Sequence, residues 1–265
     1  MRKLAVVRPR RGTEATGRYN YVFIVTYGRS GSTLLMGLLN TIPGYRILGE
    51  NNSTLYRLYQ ADAALHGAHA KRGGDSNLPI HPWYGATEWQ PAAFRQGIVD
   101  TFVSTVLRPG PDDRVLGFKE IRYTAAHMPD LAQFLEFIRT AFRGSKIIFN
   151  HRLPDKVAAS AWWASNPKAL DEVKAADARL RAVPGDDRHF HFEFDDIDDS
   201  LDNVRELFKW LGEDLDEAAV RETLARPHSY KPAAAGAAPV PSPRRSAAGR
   251  ARGLARRVLS AARLR

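Results

Sequence analysis

Residues 21–35 read Tyr-Val-Phe-Ile-Val-Thr-Tyr-Gly-Arg-Ser-Gly-Ser-Thr-Leu-Leu, and their order decides the fold. Tyr21 to Thr26 is an apolar run of strand length, rich in β-branched and aromatic residues. The run breaks at Gly28. From Thr33 onward Leu34, Leu35, Leu38 and Leu39 recur at helical spacing. Strand, glycine turn and helix in that order form a cradle for phosphate: glycine lets several backbone N–H groups face one point, and the helix N-terminus adds its dipole. Ser30, Ser32 and Thr33 offer hydroxyl donors, and Arg29 a permanent planar cation.

A Walker A loop, G-x-x-x-x-G-K-[ST], uses its lysine on the outer phosphates and its hydroxyl on magnesium. Here position 26 is threonine instead of the first glycine, position 32 is serine instead of lysine, and an arginine lies inside the loop. A small-molecule kinase working with ATP and magnesium is the competing reading. The missing lysine speaks against it.

Tyr27 to Leu35 resembles the 5′-phosphosulfate-binding loop of the sulfotransferases, which take a sulfuryl group from 3′-phosphoadenosine 5′-phosphosulfate (PAPS) and release 3′,5′-ADP. The resemblance implies a P-loop NTPase-like α/β fold, three layers with a central parallel sheet between helices, and cofactor contacts from Gly28, Arg29, Ser30, Gly31, Ser32 and Thr33. It implies no metal.

Three further segments carry the same resemblance. Ser145 to Asn150 is an apolar strand ending at His151-Arg152, and Pro154 suits the first turn of a helix, expected to run on through Val157 to Trp163. Arg152, with Ser160 eight residues later on that helix, resembles the family's 3′-phosphate site. Ile42 to Glu50 ends in an acid 21 residues after Arg29, the offset at which tyrosylprotein and carbohydrate sulfotransferases carry a general base. An alcohol is a poor nucleophile while protonated, so Glu50 is expected to accept its proton. Arg114 to Arg122 is strand-like, and Lys119 resembles the lysine placed beside the transferred group, where with Arg29 it would offset charge on the sulfuryl oxygens and departing phosphate. Lys119, Glu120 and Arg122 read equally well as a surface ion network.

Arg188 to Phe194 alternates with period two and reads as a strand. It is followed by Asp195-Asp196 and by a helix through Val204, Leu207, Phe208 and Leu211 to Gly212. This block is expected to be structural. Asp195 and Asp196 project differently, and His189 and His191 lack a partnering acid at ligand spacing, so packing or hydrogen bonding is expected of the histidines. Between Glu50 and Arg95 lies a long segment where the resemblance places the acceptor pocket. Its Trp83, Tyr84 and Trp89 either stack on an acceptor or pin a loop. The acceptor is expected to be a carbohydrate or glycolipid hydroxyl. Trp162 and Trp163 are adjacent and not expected to face one side, one of them stacking on adenine; His228 to Lys231 would close over the 3′-phosphate.

Composition agrees with one enzyme domain at 19–231. The 265 residues are 44% apolar, ample for a core. No cysteine is present, which excludes disulfides, thiolate catalysis and thiolate zinc sites. The net charge of +10 is concentrated at the ends: a basic extension at 1–18 carries +5 and the tail at 232–265 carries +8, leaving −3 for the domain. A nucleic-acid-binding core is therefore not indicated. The Ala/Pro/Gly/Ser-rich stretch 232–248 is expected to be disordered. After it, Leu254, Val258 and Leu259 share one helical face among arginines; the segment either forms an amphipathic helix drawn weakly to anionic membrane or an acidic partner, or stays unfolded. The amino end has no apolar h-region and no 18-residue apolar run occurs, so neither a signal peptide nor a span is expected. With the heavy use of Ala and Arg, this implies a cytoplasmic, bacterial-type enzyme.

Overall fold

The 21–35 stretch forms the centre of the molecule. The structure is a computed structural model that describes residues 18–70 and 76–226; the expectations for the extension before residue 18, for 228–231 and for the tail lie outside the described residues. Strand β1 is Asn20–Val25 and helix α1 is Ser32–Leu39. They are followed by β2 (Tyr45–Leu48), α2 (Thr54–Ala70), α3 (Pro91–Thr101), β3 (Val115–Glu120), α4 (Leu131–Ala141), β4 (Lys146–His151), α5 (Pro154–Ala158), α6 (Ala169–Arg181), β5 (His189–Glu193), α7 (Asp202–Leu211) and α8 (Glu217–Ala225).

Among the described residues the sheet has five strands in the order β2-β3-β1-β4-β5, every pairing parallel. A parallel sheet is covered on both faces, which is why β1 reads as a continuous apolar run. Tyr21, Phe23 and Val25 point to one face and pack with Leu55, Phe102, Phe134 and Val173, from α2, α4, α6 and the π-helical turn after α3. Val22 and Ile24 point to the other and meet Leu35 and Leu38 of α1, Val204 and Phe208 of α7, and Val220 of α8. This is the three-layer arrangement expected from the sequence.

The register places Lys119 level with Ile24 and Glu120 level with Val25, so β3 ends beside the loop that leaves β1. Close approach of these two strands requires glycine at 117, where a Cβ would lie 1.7 Å from the Val22 carbonyl oxygen. After β1 the chain crosses outward to β2, and after β3 it crosses to the opposite side at β4. The crevice outside the carboxyl ends at such a switch point is where open α/β sheets bind ligands.

One expectation fails locally. The helix after Arg152 does not continue to Trp163: α5 stops at Ala158, and Ser160 is extended, with φ −108° and ψ 134°. Ala161 then adopts a left-handed φ of 49° before a 3₁₀ turn over Ala161–Ser165. Ser160 therefore sits at a chain reversal, not on a helix. No described helix is long and apolar enough to cross a membrane.

Candidate active site

The loop from Thr26 to Gly31 is pinned through its carbonyl groups. The Trp163 indole N–H donates to the Gly28 carbonyl at 3.2 Å, the Arg152 guanidinium to that of Arg29 at 3.0 Å, and the Asn150 amide to that of Ser30 at 2.9 Å. In a trans peptide the N–H points opposite to the C=O. Holding the carbonyls of 28, 29 and 30 thus turns the N–H groups of 29, 30 and 31 away from β4 and its following segment. Arg29 accepts a left-handed φ of 68° to allow this, and Gly31 has φ 82°. Such a conformation at a non-glycine residue costs about 1–3 kcal/mol and concentrates at functional sites.

Two aromatic rings close on the loop. A Cβ at Gly28 would lie 2.5 Å from the Trp162 ring, and one at Gly31 2.2 Å from the Phe194 ring, so neither position has room for a side chain. Helix α1 begins at Ser32 without a side-chain cap and without an acid in its first turn. Its first N–H groups and the positive end of its dipole are left for an anion. Thr33 is exposed, Ser32 is buried, and the buried Ser30 hydroxyl pairs inward with Thr26 at 2.8 Å. Ser30 therefore reaches the cradle through its peptide group.

Arg29, Arg152 and Ser160 are brought together. The Arg29 Nε donates to the Ser160 hydroxyl at 3.0 Å, and its guanidinium lies 6.0 Å from the Trp162 ring. The Arg152 guanidinium lies 5.1 Å from the Phe194 ring, with Nε buried and without a hydrogen-bond partner; the nearest carboxylate oxygen, on Asp195, is 3.9 Å away. A buried, unpaired guanidinium N–H is costly unless an anion completes it.

Glu50 and Lys119 form a second group. Glu50 follows β2, and its Oε1 accepts from the Lys119 ammonium at 2.5 Å, while Arg122 lies 4.0 Å from its other oxygen. The Lys119 side chain is 9% exposed and that of Glu50 33%, so the carboxylate meets solvent while its cation is covered. Lys119 is thus the covered end of a partly exposed ion network that runs through Glu50 and Arg122 to Glu120. Glu120 is buried and accepts from the Ser53 and Ile121 peptide N–H groups at 2.8 and 2.9 Å and from Arg122 at 3.3 Å. Glu120 and Arg122 brace the turn that carries Glu50, through Asn52 and Ser53 with φ of 57° and 58°. The described contacts of Arg29 are with Ser160, Arg152 and Trp162, those of Glu50 with Lys119 and Arg122.

Sequence reasoning assigned nothing to Thr26, Asn150 or Asp177 and gave Tyr27 no role of its own; Thr26 and Asn150 hold the loop through Ser30, while Tyr27 and Asp177 brace the Arg152 peptide. Tyr27 is buried, and burial together with the nearby Asp177 pushes its phenol well above the ordinary range. Asp195 accepts from the Leu153 N–H and from Lys156, both at 2.7 Å, and these bonds outweigh burial to hold its carboxyl below the ordinary range. Its role is structural. His191 bonds His151 at 2.8 Å and donates to the Val183 carbonyl at 2.8 Å, while His189 pairs with Asp186. Among the described residues no group of His, Asp and Glu is disposed to hold a metal ion. Trp83 and Tyr84 are exposed, and Trp83 meets Trp89 edge-on at 6.4 Å. Trp162 and Trp163, although adjacent, both reach Gly28, one with carbons of its six-membered ring and the other with its indole N–H.

Solved structures similar to this chain include the sulfotransferase domain of the Synechococcus PCC 7002 olefin synthase, at 18% identity over 79% of this chain and 78% of that one, TM-score 0.49; and the sulfotransferase STF9 of Mycobacterium avium, at 15% identity over 78% and 68%, TM-score 0.43. No curated protein matches. The sequence profile described as the sulfotransferase family matches residues 21–217, most of the chain, and the chain accordingly belongs to the sulfotransferase family.

Proposed function

We propose that this sulfotransferase moves the sulfuryl group of PAPS to a hydroxyl on a carbohydrate or glycolipid, with Glu50 as general base. The observation that carries the reading is the pairing, at one sheet edge, of an anion cradle whose arginine has an unsatisfied buried Nε with a carboxylate held open to solvent by a covered lysine. The N–H groups of 29 to 31 and the first turn of α1 would hold the 5′-phosphosulfate. Arg152 and Ser160 would hold the 3′-phosphate that separates this donor from ATP. Arg29 donates to Ser160 and would therefore lie on the 3′-phosphate side. Its charge would reach the leaving phosphate from there.

In the transfer, the acceptor oxygen forms a bond to sulfur in line with the breaking sulfur–oxygen bond of the donor. The acceptor proton passes to Glu50, and the leaving electron pair stays on the phosphate. Lys119, beside Glu50, stabilises the sulfuryl oxygens as charge shifts across them. Work of this kind is positioning and electrostatics.

Donor class is tested by thermal shift. 3′,5′-ADP should raise the melting temperature, while ATP with magnesium at equal concentration should give a clearly smaller rise. A larger rise with ATP and magnesium would restore the kinase reading. Acceptor class is tested by incubating the enzyme with sulfur-labelled PAPS and an extract of the producing cells. Label should enter a carbohydrate or glycolipid fraction; label found in protein tyrosine or small phenols would replace that assignment. The exposed Trp83 and Tyr84 offer flat apolar faces of the kind that stack on sugar rings.

A further inference from the structure

A chain of polar groups, buried at Tyr27, His151 and Asp177 and open to solvent at Arg181, lies beneath the donor loop. The Tyr27 hydroxyl, at the start of the loop, accepts the Arg152 peptide N–H at 3.0 Å and donates to Asp177 Oδ1 at 2.9 Å. Tyr27 is 1% exposed and Asp177 8%. The same Asp177 oxygen accepts from His151 Nδ1 at 2.7 Å, and its Oδ2 from Arg181 Nε at 2.7 Å. His191 donates its Nε2–H to the Val183 carbonyl, and its Nδ1 pairs with His151 Nε2 at 2.8 Å. Arg181 in turn forks onto Glu193 at 2.5 and 2.9 Å. Burial pushes the Asp177 carboxyl up, but the bonds from His151, Arg181 and Tyr27 outweigh it and bring it down to about 2. It is a fixed anion at any working pH.

The outcome of this chain is felt at Arg152, whose peptide nitrogen and carbonyl oxygen both lie 3.0 Å from the Tyr27 hydroxyl. Arg152 is the first residue beyond β4 and so has no strand partner to fix its peptide. Tyr27 supplies that partner from the other side of the loop. Its own backbone is fixed too, by a bridge to Arg122.

We propose that Tyr27, anchored by Asp177, is a positioning residue that sets the peptide of Arg152 and thereby the enzyme's selectivity for 3′-phosphorylated nucleotides. The proposal rests on the reading of Arg152 as the 3′-phosphate group. Tyr27 does not touch the nucleotide; it acts through the arginine. Losing the hydroxyl should therefore weaken recognition of the 3′-phosphate while leaving the 5′-phosphate end, held by the loop N–H groups and α1, as it was.

The test is calorimetric titration of the full chain with 3′,5′-ADP and with AMP. In Tyr27→Phe the affinity ratio between the two should fall about tenfold, as loss of one buried hydrogen bond at a charged site implies, with AMP binding unchanged. In the Arg152→Ala background, adding Tyr27→Phe should leave the ratio where Arg152→Ala alone put it, because residues acting as a unit are not additive. A general structural role would weaken both nucleotides equally, and that result, or an unaltered ratio, overturns the proposal. If Tyr27→Phe does not fold, Asp177→Asn takes its place and must lower the ratio in the same sense. Should Arg152→Ala itself leave the ratio untouched, the 3′-phosphate assignment fails; should it lower the ratio while Tyr27→Phe does not, only the positioning role is lost.

Discussion

Replacing Glu50 with alanine should lower transfer by roughly 10²–10⁴-fold, the usual worth of a positioned proton acceptor, and leave 3′,5′-ADP binding nearly intact. The separation follows from the two groups of contacts. Glu50 touches Lys119 and Arg122, whereas the proposed nucleotide clasp of loop, Arg29, Arg152 and Ser160 makes its contacts within itself. Alanine also strips a covered ammonium of its carboxylate, and a buried charge without its partner destabilises the fold. Glu50→Gln removes the basicity while keeping shape and a hydrogen-bonding oxygen for Lys119. It should lose as much turnover as Glu50→Ala with less loss of melting temperature. Turnover that survives both substitutions would take the base role from Glu50.

Arg152→Ala should have the largest effect on donor binding. Each charge-assisted bond to a phosphate contributes about 1.5–3 kcal/mol, so loss of even one such bond to the 3′-phosphate predicts at least about 10–10²-fold weaker 3′,5′-ADP binding. AMP, which lacks that phosphate, should lose far less. The comparison matters because Arg152 also pins the Arg29 carbonyl, and a slack loop would weaken both nucleotides together. Arg152→Lys keeps the charge without the planar fork and should fall between the two. Equal losses for both nucleotides, measured by titration calorimetry, would contradict the 3′-phosphate assignment.

The central motif was readable because its local signals and tertiary role coincide. β1 is apolar on both faces, Gly31 takes a conformation that favours glycine, and α1 shows its buried stripe in Leu34, Leu35, Leu38 and Leu39. β2 escaped notice because it is a four-residue edge strand, half-buried in alternation, inside a turn-rich stretch. The stripe of α2 was obscured because Leu55, Tyr56 and Tyr59 are continued by Asp62, which is buried only because Arg95 pairs with it at 2.7 Å. The halt before Ser160 carries no glycine or proline signal: Ala161 takes the left-handed conformation, which tertiary contacts impose. Tyr27 and Asp177 lie 150 residues apart, and no spacing rule joins them.

The donor loop, Lys119 and Arg152 issue from β1, β3 and β4, three neighbours in the middle of the sheet, whereas Glu50 arrives from the edge strand β2. Thermal breathing begins at the rim of a sheet. On the proposed roles, a fluctuation that peels the rim away would carry off the proton acceptor and leave the nucleotide gripped, so the enzyme in that state would idle with its activated sulfate preserved.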